Sequence, residues 1–178
     1  MIEIRPEQSG DYNQIRDLIV RVFTETYGSG EDEARLVEEF RRTEGYDARL
    51  SQVAVDGDVI VGHVLLSGVS IETEVGEVPA LVMAPLGVDK QYSGQGIGSR
   101  LVQTVLEVAR KMGYSAVFVA GSPRYYGRFG FTPARPKGLV TPFPEIPEPE
   151  DMVLELIPGK LDRITGNVKY PEIWDVFM

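Results

Sequence analysis

The chain of 178 residues contains no cysteine and a single histidine. The lack of cysteine excludes disulfides, thiolate metal sites and a cysteine nucleophile, and one histidine argues against a histidine-rich metal centre. We therefore expect no metal. No apolar run approaches the ~20 residues of a membrane-spanning helix, and the first residues, M-I-E-I-R-P, are neither basic nor apolar enough for a secretory signal. We expect a cytoplasmic protein with no membrane partner.

Positive charge is also scarce, because 18 Lys and Arg residues stand against 27 Asp and Glu residues, for a net charge of −9. Binding to nucleic acid needs clustered Lys and Arg, so the composition argues against a nucleic-acid partner. The negative balance is compatible with a cationic amine substrate, although such a balance mostly maintains solubility. The length and the hydrophobic content of 43% suit one soluble domain spanning residues 1–178.

Three glycines alternate along the middle of the chain, at Gly94, Gly96 and Gly98. A strand-like run ends before them at Val88, and a long amphipathic segment begins after them at Ser99. Glycines ahead of a helix leave backbone N–H groups unobstructed at the positive end of its dipole, which favours phosphate. The pattern predicts a cradle for a phosphorylated ligand, with an ordinary tight turn as the alternative interpretation.

Two other glycine-loop types fit the spacing less well. A P-loop requires G-x-x-x-x-G-K followed by Ser or Thr, and no such string occurs. A dinucleotide-binding G-x-G-x-x-G follows its strand at once, whereas here the run is G-x-G-x-G and residues 89–93 intervene. A dinucleotide-dependent enzyme is therefore a less favoured alternative.

The whole stretch resembles the acetyl-CoA loop of the GNAT family of N-acetyltransferases, whose common form is V-x-P-x-x-(Q/R)-G-x-G-(I/A)-G-x-x-L. Two positions depart from it: Lys90 replaces the usual proline and Ser93 replaces the usual Gln or Arg. The replacement at Ser93 removes one side-chain contact to the pyrophosphate and leaves the backbone cradle intact. The residues that match are Val88, Gly94, Gly96, Ile97, Gly98 and Leu101.

The resemblance implies acetyl-CoA as cosubstrate. Pro85 and Gly87 are unusual inside a strand, because proline cannot donate to a ladder and glycine often marks a bulge. In this family the equivalent strand splays from its neighbour and pairs with pantetheine, and the Val88 N–H would bond the thioester carbonyl. The implied cofactor-binding residues are Leu86, Gly87, Val88, Ser93, Gly94, Gln95, Gly96, Ile97, Gly98 and Ser99.

The apolar periodicity predicts the element order βααβββαβαββ, an α+β fold with a mixed sheet. The same order is that of the GNAT fold, which implies a mostly antiparallel sheet of about seven strands, splayed between the fourth and fifth strands and flanked by helices. A capping box at Asp11 and Gln14 is expected to open the first helix, over 11–26. The resemblance extends to a proline-rich insertion, 133–149, and a G-x-V-x-Y tail, 166–170.

A catalytic tyrosine is implied by the string R-Y-Y-G-R-F-G-F. It resembles the family's Y-x-x-x-G-F pattern and places Tyr126 as the general acid beside the CoA sulfur. A phenol with an ordinary pKa of about 10 is protonated at neutral pH and can donate to a thiolate. Core packing is the alternative for Tyr126, and Tyr125 is expected to serve in packing.

The base that deprotonates the amine is not evident. Glu72 and Glu74 are candidates near a strand turn, where a solvated acidic turn is the simpler interpretation. His63 lies in an apolar strand and is most simply a core histidine. Three cations are candidates for the CoA phosphates, although surface solvation is the safer assumption for each: Lys90, Arg100 and Arg128.

The leading hypothesis is an acetyl-CoA-dependent N-acetyltransferase that acts on a primary amine, in a small molecule or a peptide, by direct attack in a ternary complex. The alternative is a non-catalytic acyl-CoA-binding regulatory module of the same fold. The insertion 133–149 is either a substrate-side flap or a surface connection made rigid by proline. The apolar segment Tyr170–Trp174 docks internally or onto a second copy, which leaves a homodimer possible.

Overall fold

The computed structural model describes the whole chain, residues 1–178. The first half contains β1 (Ile2–Pro6), α1 (Tyr12–Tyr27), α2 (Glu31–Phe40), β2 (Ser51–Asp56), β3 (Val59–Thr73) and β4 (Gly76–Val88). The second half contains α3 (Ile97–Lys111), β5 (Ala116–Ala120), α4 (Pro123–Tyr126), β6 (Thr132–Pro133), β7 (Leu139–Val140), β8 (Asp151–Glu155) and β9 (Gly166–Lys169).

The strands form one mixed sheet in the order β1-β2-β3-β4-β5-β8-β6, and β9 pairs with β3 and β7. Pairing is antiparallel for β1–β2, β2–β3, β3–β9, β5–β8 and β6–β8, and parallel for β4–β5 and β7–β9. This is the predicted α+β mixed sheet with helices, enlarged from about seven strands by β7 and β9.

The chain forms two compact units, one of residues 1–67 and 84–108 and the other of residues 68–83 and 109–178. In the first unit, β1, β2 and the first part of β3 form an antiparallel sheet with a bulge between Ala54 and Val55. Glycine at position 62 sets the approach of α3, because a Cβ there would lie 2.9 Å from Leu101 Cδ1 and 3.3 Å from Ile97 Cγ2. The helices bury Ile15, Leu18, Ile19, Leu36, Val37, Phe40, Leu101, Val102 and Val105.

The start of α1 differs from the expectation. The predicted capping box is wrong, because the Asp11 carboxylate is already occupied by Arg5, at 2.7 and 3.0 Å, and by the backbone N–H of Gln8. Gln14 instead reaches β3, where its side chain accepts from the Ile60 N–H and donates to the Asp58 carbonyl. Both side chains therefore tie the helix to the sheet.

In the second unit, β5 pairs with β8 along its whole length, from Ala116 opposite Glu155 to Ala120 opposite Asp151. The proline-rich insertion contains short elements that the sequence did not predict, namely β7 and two turns of 3-10 helix. The G-x-V-x-Y tail forms β9, and Trp174 beyond it is buried against Phe143 and Tyr170.

Candidate functional site

The glycine loop opens α3. Gly94 and Gly96 have φ of 77° and 75°, a conformation that favours glycine, and a Cβ at either position would meet nothing within 4 Å. The first helical hydrogen bond runs from the Arg100 N–H to the Gly96 carbonyl, at 3.0 Å. The N–H groups of Ile97 and Gly98 therefore have no acceptor within the helix. The helix begins at Ile97 rather than at Ser99, so Gly98 belongs to its first turn.

The loop is anchored by Asp89, a residue that the sequence analysis did not single out. Its carboxylate accepts from the Gln91 N–H at 3.0 Å and from Arg21 of α1 at 2.7 Å. Its own N–H donates to the Val61 carbonyl of β3. Three residues on, the Tyr92 hydroxyl donates to Asp56 at 2.9 Å. These bonds hold the chain between β4 and α3 in one conformation.

The end of β4 carries the residues predicted for pantetheine. Parallel pairing with β5 covers only Leu81 with Val117 and Val82 with Phe118, while β4 continues to Val88. The predicted splay is therefore present. Leu86 and Val88 are half-buried and Gly87 is buried. A Cβ at Gly87 would lie 3.5 Å from Val22 and 3.6 Å from Phe23, so α1 packs beside this glycine.

Tyr126 lies in the second unit, at the end of the short helix α4. Ser122 caps this helix by accepting from the Tyr125 N–H, and Pro123 follows as its first residue. The half-buried Tyr126 ring packs edge-on against Phe131, with the centroids 5.6 Å apart. A Cβ on Gly121 would lie 2.5 Å from Tyr126 Cε2. Position 121 must therefore be glycine for the ring to lie here. No pattern in the sequence indicates this requirement.

Tyr125 makes aromatic contacts, as expected for a packing residue. Its ring packs against Phe129 at 5.6 Å, and the Arg128 guanidinium lies 4.6 Å above its centre. Arg128 also donates to the Tyr125 carbonyl. Of the other candidate cations, Arg100 donates to the Ile2 carbonyl and Lys90 is exposed.

The candidate bases lie in different surroundings. Glu72 lies 3.8 Å from Lys169 across the β3–β9 pair, and Glu74 is exposed at the turn. His63 is completely buried, as expected for a core histidine, and its Nε2 lies 2.9 Å from Ser51 Oγ. Its Nδ1 has no hydrogen-bond partner. Since a buried N–H without an acceptor is costly, Nε2 is the protonated nitrogen.

A buried polar cluster surrounds Glu7, immediately after β1. Its carboxylate accepts two hydrogen bonds from Arg41, at 2.8 and 2.9 Å, and one from the Tyr46 hydroxyl, and lies 3.5 Å from His63 Nε2. Burial raises the pKa of Glu7, but the hydrogen bonds from Arg41, His63 and Tyr46 outweigh it and hold this pKa well below its ordinary value. Burial lowers the pKa of His63. The cluster ties the end of α2 to β1 and β3.

No group of three or more His, Cys, Asp or Glu side chains is placed to hold a metal ion. None of the helices is both apolar and long enough to cross a bilayer.

Comparison with known proteins gives concordant results. Residues 3–134 match the family model described as an acetyltransferase (GNAT) domain. The uncharacterized N-acetyltransferase YjhQ of Escherichia coli K12 is 33% identical over 162 residues, covering 89% of this chain and 86% of the relative. The uncharacterized N-acetyltransferase YhbS of the same organism is 36% identical over 146 residues, covering 82% and 84%.

Two solved structures share the whole fold. The crystal structure of the YhbS N-acetyltransferase from Escherichia coli in complex with CoA superposes with a TM-score of 0.87 and 33% identity, covering 99% of this chain and 93% of that one. A GNAT family acetyltransferase from Brucella melitensis, in complex with acetyl-CoA, gives a TM-score of 0.79 and 26% identity, covering 98% and 99%. The family predicted from the glycine loop is confirmed: the chain belongs to the GNAT family of N-acetyltransferases.

Proposed function

We propose that the protein transfers the acetyl group of acetyl-CoA to a primary amine, by direct attack of the amine on the thioester in a ternary complex. The observation that carries this proposal is the pair of left-handed glycines, Gly94 and Gly96, with open space around them at the start of α3. The solved relatives with CoA and acetyl-CoA support the same ligand class.

The cofactor would be held mainly by backbone groups. Amides from Gly94 to Ser99 would take the pyrophosphate, where the helix dipole favours negative charge. The Ser93 N–H donates to the Lys90 carbonyl. Leu86, Gly87 and Val88 would line the pantetheine arm, and the Val88 N–H would stabilise the charge that develops on the thioester oxygen. Gly94 and Gly96 fit this role, because no side chain intrudes on the loop there.

Tyr126 is the proposed general acid. A neutral amine attacks the acetyl carbon, the C–S bond breaks, and the phenol donates its proton to the departing thiolate. The T-shaped contact with Phe131 and the close approach to Gly121 fix the ring, as an acid with a defined direction requires.

The test is release of CoA thiol from acetyl-CoA in the presence of putrescine, benzylamine, a blocked lysine and alanine amide. Thiol release with any of these supports the enzyme, whereas CoA affinity without release on every amine supports the non-catalytic binding module. Stabilisation by NAD and not by CoA contradicts both.

Tyr126→Phe removes only the hydroxyl, and we expect it to lower kcat by about 100-fold to 10,000-fold, the usual range for a general acid. The dissociation constant for CoA, measured by calorimetry, should stay unchanged. Tyr125→Phe is the matched control and should retain activity within a few-fold. Equal rates for both variants would remove Tyr126 from the mechanism.

A further inference from the structure

A buried carboxyl group lies at the same end of β5 as Tyr126. Asp151 opens β8 and pairs with Ala120, the last residue of β5. One step further, the Gly121 N–H donates to the Glu150 carbonyl at 2.9 Å, and Gly121 is the residue against which the Tyr126 ring packs. Asp151 is 5% exposed. The backbone thus holds the carboxyl and the proposed acid on either side of the β5–α4 junction.

Asp151 has few groups to balance its charge. The Thr141 hydroxyl donates to Oδ2 at 2.8 Å, and Arg135 acts on it through space without an ion pair. Another buried carboxylate, Glu7, holds Arg41, Tyr46 and His63 around it. A buried carboxylate without a paired cation is costly. Unlike Glu7, the Asp151 carboxylate still has oxygen lone pairs that can accept hydrogen bonds from a cation outside the chain.

Aromatic side chains stand near this carboxyl. Tyr170 is close enough for the Asp151 charge to add to the effect of burial, and both raise the pKa of its phenol. Phe143 packs edge-on against Tyr170 with centroids 5.0 Å apart, and Trp174 packs against it at 5.3 Å. Aromatic rings attract cations. The combination suits an organic ammonium group better than a metal ion, which prefers several oxygen ligands.

We infer that Asp151 binds the ammonium group of the acceptor and takes its proton, so that it is the general base of the transfer. This inference rests on the proposed acetyl transfer and gives it the base that the sequence left unassigned. It also defines the acceptor as a primary ammonium whose attached group packs beside aromatic side chains.

The carboxylate of Asp151 accepts one proton from R–NH₃⁺, and the neutral amine forms the new C–N bond with the acetyl carbon. The C–S bond breaks, and the thiolate takes a proton from Tyr126. The amine nitrogen gives its second proton to the Tyr126 phenolate, which regenerates the phenol, and Asp151 returns its proton to water. The net reaction converts an ammonium and a thioester to an amide, a thiol and one proton.

The direction of the pH dependence follows from the groups that face Asp151. Burial raises its pKa, the hydrogen bond from Thr141 lowers it, and the charge of Arg135 lowers it further; the net direction is upward. Tyr170 is a further titratable neighbour, and its phenol stays protonated because its own pKa is raised. A base must be deprotonated to act, so kcat rises with pH as Asp151 ionises.

The decisive variant is Asp151→Asn, which keeps the shape of the side chain and a hydrogen bond from Thr141. At pH 7 we expect kcat/KM for the amine to fall by about 100-fold to 10,000-fold, with the CoA dissociation constant unchanged. The deficit should shrink toward pH 10, because the neutral fraction of an amine with a pKa near 10.4 rises about tenfold for each pH unit below that value, and the neutral form needs no base. Glu150→Gln, an exposed carboxyl one residue earlier, is the control and should match the wild type at every pH.

A merely structural role for Asp151 would give a deficit that is constant with pH, and that result overturns the inference. Thr141→Val provides a second readout that does not depend on the folding of Asp151→Asn. It removes a bond that lowers the pKa of Asp151, so the acidic limb of the kcat profile should move to higher pH. An unmoved limb also overturns the inference. A wild-type protein that binds CoA and acetylates no amine overturns the proposed function as well, so the two failures are distinguishable.

Discussion

At the scale of single residues, a glycine leaves space that a larger neighbouring side chain occupies. Gly121 has an ordinary backbone conformation, and its importance lies in the Tyr126 ring that occupies the space of its missing Cβ. The sequence motif identified Tyr126 by its distance from Gly130, but no local pattern marks Gly121. A side-chain contact between residues five apart on a turn depends on rotamers, which the sequence alone does not specify.

Gly121→Ala should displace the Tyr126 ring, because the new methyl carbon would lie 2.5 Å from Cε2. We expect kcat to fall by roughly 100-fold, the usual cost of moving a catalytic group by about 1 Å, with little change in CoA affinity. Gly127→Ala is the matched control, since a Cβ there meets nothing within 4 Å and its φ of −56° suits alanine. Steady-state kinetics of both variants would check this, and a fully active Gly121→Ala would contradict it.

At the scale of elements, the glycines that open α3 have the same conformation as a hairpin glycine but a different proposed role. Gly96 and Gly57 share a left-handed φ, 75° and 61°, and both have open space where a Cβ would stand. Gly57 joins β2 to β3, whereas Gly96 lies in the proposed pyrophosphate cradle. Alanine costs about 1–2 kcal/mol of strain at a left-handed position, so both substitutions should lower the free energy of unfolding alike.

Gly96→Ala should therefore weaken CoA binding by far more than Gly57→Ala does, because only the first places a methyl group among the amides that face the ligand. We expect a CoA dissociation constant at least about tenfold higher for Gly96→Ala, which corresponds to about 1.4 kcal/mol. Calorimetric titration of the two variants isolates the ligand effect from the strain they have in common. Equal affinities would place the diphosphate elsewhere.

Helix α2 is held by a buried ion pair, because Glu7 binds Arg41 and ties the end of the helix to β1 and β3. Glu7→Gln leaves the Arg41 guanidinium, with a side chain only 7% exposed, without its carboxylate. Breaking a buried pair in this way costs roughly 3–5 kcal/mol, measurable by urea unfolding. Asp32→Asn, in an exposed pair with Arg35 at 3.2 Å, should cost less than about 1 kcal/mol.

The Glu7 effect should also depend on pH. The pKa of Glu7 is lower in the folded protein than its ordinary value of 4.5, so its charge stabilises the fold fully above that value. The contribution is lost as the pH falls toward the folded pKa. The stability difference between wild type and Glu7→Gln should narrow in acid, and a difference that grows in acid would contradict this assignment.

At the scale of the whole molecule, the two compact units share β3, β4 and α3, which run through both. We expect residues 1–178 to unfold as one domain for this reason. The chain has one tryptophan, Trp174, which belongs to the second unit. Its fluorescence and the far-ultraviolet circular dichroism of the whole chain should therefore give coincident urea transitions. Separate midpoints would show two domains.

Across the whole molecule, the sequence could predict some features of the fold and of the candidate site but not others. The glycine loop and the splayed β4 were predictable because each depends on backbone chemistry that particular residues impose. The pairing of β9 with β3 at Ile71 and Val168 was not, since it joins segments that are distant in the chain. The Glu7 cluster and the Asp151–Thr141 bond were missed for the same reason. Their partners come from separate elements, and only the fold brings them together.

A cradle built from main-chain amides has a consequence for acyl selectivity. The diphosphate that it would hold is common to every CoA thioester, so the loop at Gly94 and Gly96 would supply affinity without distinguishing acetyl from longer acyl chains. That choice would fall to the side chains near Gly87, where the pantetheine arm is proposed to lie. Val22 and Phe23 lie 3.5 and 3.6 Å from the Cβ position of Gly87. The width left by these two residues of α1 would set the longest chain accepted.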